Sequence, residues 1–290
     1  MKIGFIGLGT MGFHMAGHIA AAGFTTAVYN RTSARADAWL IQHQGESFST
    51  IDALAKECDV IISCVGNDDD VRGVYFGDAS GEKGVLANAK EGAILIDHTT
   101  TSAVMAKEID EQATAQGCSF LDAPVSGGEI GAINGQLTTM VGGDAEVLEK
   151  GLPMLRAYSK AVTHMGAVGN GQLTKMVNQI CIAGVLQGLS EALTFAEASG
   201  LNIDQVSDAI SGGAAGSWQL SNRLKTMHAR EFDFGFAIDW MRKDLAFCLD
   251  QAKQKNLDLM CVKHVDNEYS KLQAVGESQS DTSVLVKQYD

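Results

Sequence analysis

Two stretches of the sequence combine residue types and spacings that could do chemistry. The first is Gly7-Leu8-Gly9-Thr10-Met11-Gly12, which follows an apolar run directly and opens a helical pattern. Three glycines at this spacing have separate uses. Gly7 permits a tight turn, Gly9 lets a pyrophosphate approach the backbone, and Gly12 lets the helix pack on the strand. The helix start then offers its N–H groups and the positive end of its dipole to a dinucleotide's phosphates. A glycine-rich turn that holds no ligand is the alternative. The strand before the motif and the helix after it weigh against that alternative.

The second stretch is Gly169-Asn170-Gly171-Gln172-Leu173-Thr174-Lys175-Met176-Val177-Asn178-Gln179. The residues beyond it are apolar on almost every face, which predicts a central, buried helix. A lysine is rarely placed in such a helix without a reason, because burying an ammonium without partners is costly. Acid–base chemistry is one reason, since partial burial brings a lysine's proton exchange toward neutral pH. Asn178 and Gln179 follow Lys175 at i+3 and i+4 and stack on the same face. The alternative is a lysine at a helix start whose stem packs while its head reaches solvent.

The end of the second predicted strand bears on the cofactor. An acid placed there, about 20 residues beyond the glycine loop, would bind the ribose hydroxyls of NAD. This strand ends Tyr29-Asn30-Arg31-Thr32 with no carboxylate. An arginine pairs with a 2′-phosphate that a carboxylate would repel. The pattern favours NADP(H), with NAD held through Asn30 as the alternative.

These residues need elements to position them. Short apolar runs at 3–6, 26–29, 60–65, 94–96 and 120–121 alternate with helical stretches at 11–22, 34–43, 51–56, 70–75 and 102–116. Such alternation predicts a parallel sheet with helices on both faces. After Pro124 the pattern weakens, with further strands expected at 137–141 and 161–165 around a helix at 144–156. From Gly169 onward only helices are expected, at 172–199, 204–211, 218–228, 237–255 and 259–272. The domain boundary is placed at 166/167, and 276–283 reads as a loop or the start of a tail.

Composition narrows the function further. The 290 residues are 46% hydrophobic and 20% charged, so the chain has ample length for a core. A net charge of −13 argues against nucleic-acid or anionic-membrane partners. No uninterrupted apolar run approaches the ~18 residues of a membrane span. The six cysteines form no C-x-x-C pair. No metal site and no disulfide framework is expected, and a reducing cytoplasm is the natural location. The chain starts in a strand, with no signal-peptide pattern ahead of it.

Four motifs in one order give the chain a resemblance to the β-hydroxyacid dehydrogenases. They are Gly4 through Gly12, Asp122-Ala123-Pro124-Val125-Ser126-Gly127-Gly128, Gly169-Asn170-Gly171 through Lys175 to Asn178, and Lys243-Asp244-Leu245. The resemblance spans most of the chain. It implies a Rossmann-type α/β dinucleotide-binding domain over 1–166, then an all-α substrate and oligomerisation domain over 167–290, joined by a long interdomain helix. It implies hydride transfer between a nicotinamide cofactor and a small hydroxyacid or its semialdehyde. Carried over by position, Lys175 would be the general acid/base, and Ser126, Gly127 and Gly128 would hold the substrate carboxylate. Val65, Gly66 and Thr100 would line the nicotinamide side. Lys243 and Asp244 would close the site from the second domain, with Lys243 near the cofactor.

The sequence departs from the family pattern in three places. Gln179 stands where many members have asparagine, with Asn178 one residue earlier, so either amide could touch substrate. Val65-Gly66 replaces a usual leucine-proline, and Thr99-Thr100 replaces a usual serine-threonine. Trp218 could wall the substrate pocket or belong to the core. A homodimer or homotetramer is expected, as in the family. Two other functions remain in view: a dinucleotide-binding sensor or scaffold without chemistry, and decarboxylation of the 6-phosphogluconate dehydrogenase type, which the short chain disfavours.

Overall fold

The computed structural model describes residues 1–78 and 81–290, which form two compact units, Met1–Lys175 and Met176–Asp290. The first unit opens with β1 (Lys2–Ile6), α1 (Gly12–Ala21), β2 (Thr25–Tyr29), α2 (Ser33–Gln42), β3 (Glu46–Ser47), α3 (Ile51–Glu57), β4 (Val60–Ser63) and α4 (Asp68–Phe76). It continues through β5 (Ile94–Asp97), α5 (Ala103–Ala115), β6 (Ser119–Asp122), β7 (Val125–Ser126), α6 (Gly128–Ile133), β8 (Leu137–Gly143), α7 (Ala145–Leu155) and β9 (Ser159–His164).

The strands lie in the order β3-β2-β1-β4-β5-β6-β8-β7, with β9 on β8. Successive side chains of a strand face opposite sides of the sheet. Phe5, Val28, Ile62, Ile96 and Leu121 therefore enter one apolar core, and Ile6, Ala27, Ile61, Leu95 and Phe120 the other. A sheet buried on both faces accounts for the unbroken apolar run of β4. Strand order reverses between β1 and β4, and a doubly wound sheet opens its ligand crevice at the strand ends beside such a reversal.

The expected parallel sheet holds through β6, and its direction changes only after Pro124. Strands β1 to β6 are parallel, but β8 runs antiparallel to β6 and β7. Local alternation of apolar residues carries no information on direction, which is set by the connection. The intervening β7 and α6 were also absent from the sequence expectation, because two residues of strand and six of helix give too short a period to read.

Helix α8 (Asn170–Ala198) begins in the first unit and continues into the second. The second unit adds α9 (Ile203–Ile210), α10 (Trp218–His228), α11 (Ile238–Gln254) and α12 (Met260–Ala274), then a 3-10 segment at Thr282–Tyr289. Of the segment expected as a loop or the start of a tail, 276–281 is a loop, and the chain is pinned where the 3-10 segment begins. Asp281 accepts hydrogen bonds from the Phe236 N–H (3.0 Å), the Ser283 N–H (3.1 Å) and Arg223 Nε (3.0 Å), and Thr282 to Val286 are buried.

By length and composition α8 could cross a membrane, which qualifies the reading of apolar runs above. On this helix Gln172, Gln179 and Ser190 are buried and hydrogen-bond to protein groups.

Candidate functional site

The glycine loop turns between β1 and α1 in the manner its residues dictate. Gly7 has φ +97°, a conformation that L side chains rarely adopt, and its N–H donates to the Tyr29 carbonyl at 2.9 Å. A Cβ on Gly12 would lie 1.9 Å from the Gly7 carbonyl oxygen. A Cβ on Gly9 would meet nothing within 4 Å, so the space over that residue is open. Helix α1 has no side-chain cap and no acid in its first turn. Leu8 is fully buried, while Thr10 is exposed and Met11 half-buried. This open, uncapped, acid-free helix start is a cradle that fits a pyrophosphate.

Asn30 ties the end of β2 to this cradle. Its Oδ1 accepts from the Leu8 N–H at 2.8 Å and its Nδ2 donates to the Thr32 carbonyl at 3.0 Å. Arg31 beside it is 87% exposed at the side chain and pairs with Asp70 at 3.3 Å. Thr32 is exposed.

Three neighbouring strands end in a row of buried polar residues. Ser63, Asp97 and Asp122 are register partners at the carboxyl ends of β4, β5 and β6. Asp97 Oδ1 accepts from Ser63 Oγ (2.8 Å), Thr99 Oγ1 (2.7 Å) and the Thr99 N–H (3.2 Å). Ser63 Oγ also meets the Tyr75 hydroxyl at 2.9 Å, and Thr99 Oγ1 accepts from the Val65 N–H at 3.0 Å. Burial pushes the Asp97 carboxyl up to about 6, against the pull of these donors. The network fixes the backbone of Val65 and Thr99, next to Gly66 and Thr100. His98 serves the frame. Its ring nitrogens meet the Ala123 carbonyl and the Tyr158 hydroxyl, and burial pushes it down to about 4.

Asp122 has a different task. Its Oδ1 accepts from the Gly169 N–H (2.7 Å) and its Oδ2 from the Gln172 N–H (2.8 Å), so one carboxylate caps the start of α8 with both oxygens. The motif glycine at 171 follows from this packing, since a Cβ there would lie 2.6 Å from the Asp122 carbonyl oxygen. Burial pushes the Asp122 carboxyl up to about 6. Gln172 is fully buried and adds a second tie. Its Nε2 donates to the Thr99 carbonyl (2.8 Å) and its Oε1 accepts from the Thr101 N–H (3.0 Å).

Lys175 lies three residues beyond Gln172 on the same helix and is 8% exposed. Further along the first unit, Ser126 is half-buried in β7, and Gly127 and Gly128 have φ +126° and +60°. A Cβ on Gly128 would meet nothing within 4 Å.

In the second unit, Gln179 is buried and its amide is engaged at both ends. Nε2 donates to Asp244 Oδ2 at 2.6 Å, and Oε1 accepts from Asn178 Nδ2 at 2.8 Å. Asp244 also pairs with Lys243 at 3.3 Å. The Lys243 ammonium lies 5.6 Å from the Trp240 ring centre and 5.8 Å from that of Phe247. Trp218 is 54% exposed at the start of α10, with the Arg223 guanidinium 4.8 Å from its ring. Among the described residues no group of three or more His, Cys, Asp or Glu could hold a metal ion.

The sequence reading did not assign Asp122, Gln172, Asp97, Ser63 or Thr99 a role. One signal for three of them was present: β4, β5 and β6 are apolar runs that each close on a small polar residue, VIIS, ILID and SFLD.

Comparison with known proteins gives matches along the whole chain. Residues 2–166 match the family model described as the NAD binding domain of 6-phosphogluconate dehydrogenase. Residues 169–289 match that described as NAD-binding of NADP-dependent 3-hydroxyisobutyrate dehydrogenase. The chain is 36% identical to the 2-hydroxy-3-oxopropionate reductase of Escherichia coli, covering 99% of this chain and 96% of that one. It is 37% identical to a probable 3-hydroxyisobutyrate dehydrogenase-like protein of Arabidopsis thaliana, covering 98% and 84%. The solved structure of Mycobacterium tuberculosis 3-hydroxyisobutyrate dehydrogenase with L-serine superposes with a TM-score of 0.88 at 28% identity, covering 99% and 98%.

Proposed function

The chain belongs to the β-hydroxyacid dehydrogenase family of NAD(P)-dependent oxidoreductases, and from that premise we propose that it interconverts a small β-hydroxyacid and its semialdehyde with Lys175 as acid/base. The observation that carries the proposal is the burial of Lys175 just beyond the capped start of α8. A bound nicotinamide dinucleotide supplies or accepts the hydride. In the reductive direction Lys175 enters as the ammonium, stabilises negative charge growing on the substrate oxygen, and gives that oxygen its proton. In the oxidative direction the neutral amine takes the hydroxyl proton.

The other roles follow from chemistry. Ser126, Gly127 and Gly128 offer a hydroxyl and main-chain N–H groups to the substrate carboxylate. The Gln179 amide is engaged by Asp244 and Asn178, so Asn178 is assigned to the substrate and Gln179 to holding Asn178. Trp218 is assigned to the pocket wall. Gly7, Leu8, Gly9, Thr10, Met11 and Gly12 hold the pyrophosphate. Val65, Gly66, Thr100 and Lys243 are assigned to the nicotinamide half of the cofactor.

We assign the preference to NADP(H). An exposed guanidinium at Arg31, with Thr32 beside it, suits a 2′-phosphate, and the Asn30 amide is bonded to backbone at both ends. The dinucleotide-binding domain is assigned to 1–166 and the substrate and oligomerisation domain to 167–290. The six cysteines are free thiols, which suits a reducing cytoplasm. Val177, Val185 and Phe195 expose 60%, 38% and 72% of their surface along α8, so a homodimer or homotetramer built on this face is proposed, which light scattering in solution tests.

One assay tests the central reading. NADPH or NADH is mixed with tartronate, methylmalonate and succinic semialdehydes, and nicotinamide absorbance is followed. The wild type oxidises NADPH with at least one of them, faster than NADH. Lys175→Ala loses about 10²-fold or more in kcat while NADPH still binds. Unchanged turnover in that variant removes Lys175 from the mechanism. No turnover by the wild type with any substrate leaves a dinucleotide-binding sensor as the better reading.

A further inference from the structure

Gln172 is used by none of the roles above, yet few side chains in the first unit are held so completely. Its main-chain N–H is fixed by Asp122 Oδ2 at 2.8 Å. Its side-chain donor and acceptor reach the Thr99 carbonyl at 2.8 Å and the Thr101 N–H at 3.0 Å. All three residues are buried, with Gln172 at 0%, Thr99 at 2% and Thr101 at 1% exposure. The two bonds bracket one residue, Thr100, which is half-buried between buried neighbours. On the helix side, Lys175 stands three residues further, about 4.5 Å along the axis at ~1.5 Å per residue.

We propose that Gln172 is the positioning residue of the reaction: its amide locks the backbone around Thr100 to the helix turn that carries Lys175. The inference rests on the assignment of Lys175 and Thr100 above and goes beyond it. A glutamine suits the task because one planar amide carries a donor and an acceptor side by side. It can therefore close on a carbonyl and an N–H two residues apart. Asp97 supports the same loop from the sheet by binding the N–H and hydroxyl of Thr99. Thr99 is thus held on both sides, and the loop has little room to shift relative to α8. Misplacement of reacting groups by about 1 Å can lower turnover 10²-fold without loss of binding. The glycine cradle and Arg31, assigned to the pyrophosphate and the 2′-phosphate, make none of these bonds, so NADPH affinity changes far less than turnover.

Two substitutions in the full chain separate positioning from general stability. Gln172→Leu removes both polar ends at similar size. Gln172→Glu keeps the shape and the acceptor, but when ionised it sets a carboxylate oxygen against the Thr99 carbonyl. When protonated it regains the donor and restores both bonds. The readouts are kcat and KM with the most active semialdehyde, NADPH affinity by nicotinamide fluorescence, and the melting temperature.

The expected result for Gln172→Leu is a kcat about 30-fold lower at every pH, with NADPH affinity within about threefold of wild type. For Gln172→Glu, kcat relative to wild type is low at pH 8 and recovers as pH falls toward 5. Kcat within twofold of wild type for both variants across this range, with Lys175→Ala inactive, overturns the positioning role and leaves the assigned function standing. So does a lowered melting temperature with unchanged kcat per folded molecule, or failure of both variants to fold, either of which makes Gln172 structural only. Wild-type turnover in Lys175→Ala removes Lys175 from the mechanism, and the positioning role that rests on it falls with it.

Discussion

The first unit holds two regions at neighbouring strand ends that are built on opposite plans. After β1 and β2 the candidate site is made of backbone: positive φ at Gly7, a close approach at Gly12, open space over Gly9. After β5 and β6 it is made of buried side chains, with Asp97, Asp122 and Gln172 each holding main chain. A cradle for a flexible ligand needs access and N–H groups. A support for reacting groups needs rigidity, which buried, fully satisfied polar networks supply. Damage to the first region should therefore appear as lost binding, and damage to the second as lost stability or turnover.

The largest effect is expected from Gly12→Ala. The added methyl would sit 1.9 Å from the Gly7 carbonyl oxygen, which is backbone and must move. NADPH affinity, read by fluorescence titration, falls about 10²-fold or more while the circular dichroism spectrum is unchanged. Affinity within threefold of wild type would show that the loop relaxes freely, and the cradle would lose its distinction from the side-chain region.

Asp122→Asn is expected to have a smaller effect of a different kind. An amide can accept one of the two N–H groups but turns a donor toward the other. A buried N–H left without an acceptor costs about 1–3 kcal/mol. Denaturant unfolding of the variant should show a loss of that size, and kcat should fall, with NADPH affinity near wild type. A variant as stable as the wild type would mean that the start of α8 does not depend on this cap.

The same two plans explain what the sequence disclosed. Backbone geometry leaves a mark in the chain, because only glycine serves at positions such as Gly7 and Gly12, so the cradle was legible as a motif. Short unbroken apolar strands and the apolar helix carrying Lys175 were legible from their composition and alternation. The side-chain region was not. Asp122 and Gln172 bond across 47 to 73 residues of chain, and no local pattern marks an aspartate as the cap of a helix so far downstream. The same holds for Gln179 and Asp244, 65 residues apart. Strand direction at β8 and the pinned segment after Asp281 were illegible for a related reason, since both are decided by tertiary partners.

The last prediction separates the two carboxylates within the side-chain region, and it leaves turnover and binding nearly untouched. Asp97 and Asp122 are both pushed up to about 6 by burial, but Asp97 takes its three donors on Oδ1 alone. An asparagine carbonyl can accept the same three bonds, so Asp97→Asn keeps the network while removing the ionisation. The sign follows from proton linkage. A folded value of about 6 lies above the ordinary value of 3.8, so between these the folded protein binds more protons and stability falls as pH rises. Buried His98 is shifted the other way, to about 4 from 6.5, and opposes this trend in the wild type. The difference between variant and wild type cancels the histidine. Asp97→Asn should therefore gain stability relative to wild type as pH rises from about 4 to about 6 and hold that gain above it. Parallel unfolding curves across this range would mean that Asp97 pays no burial penalty. The contrast with Asp122, where the same substitution is costly, would then rest on the cap alone.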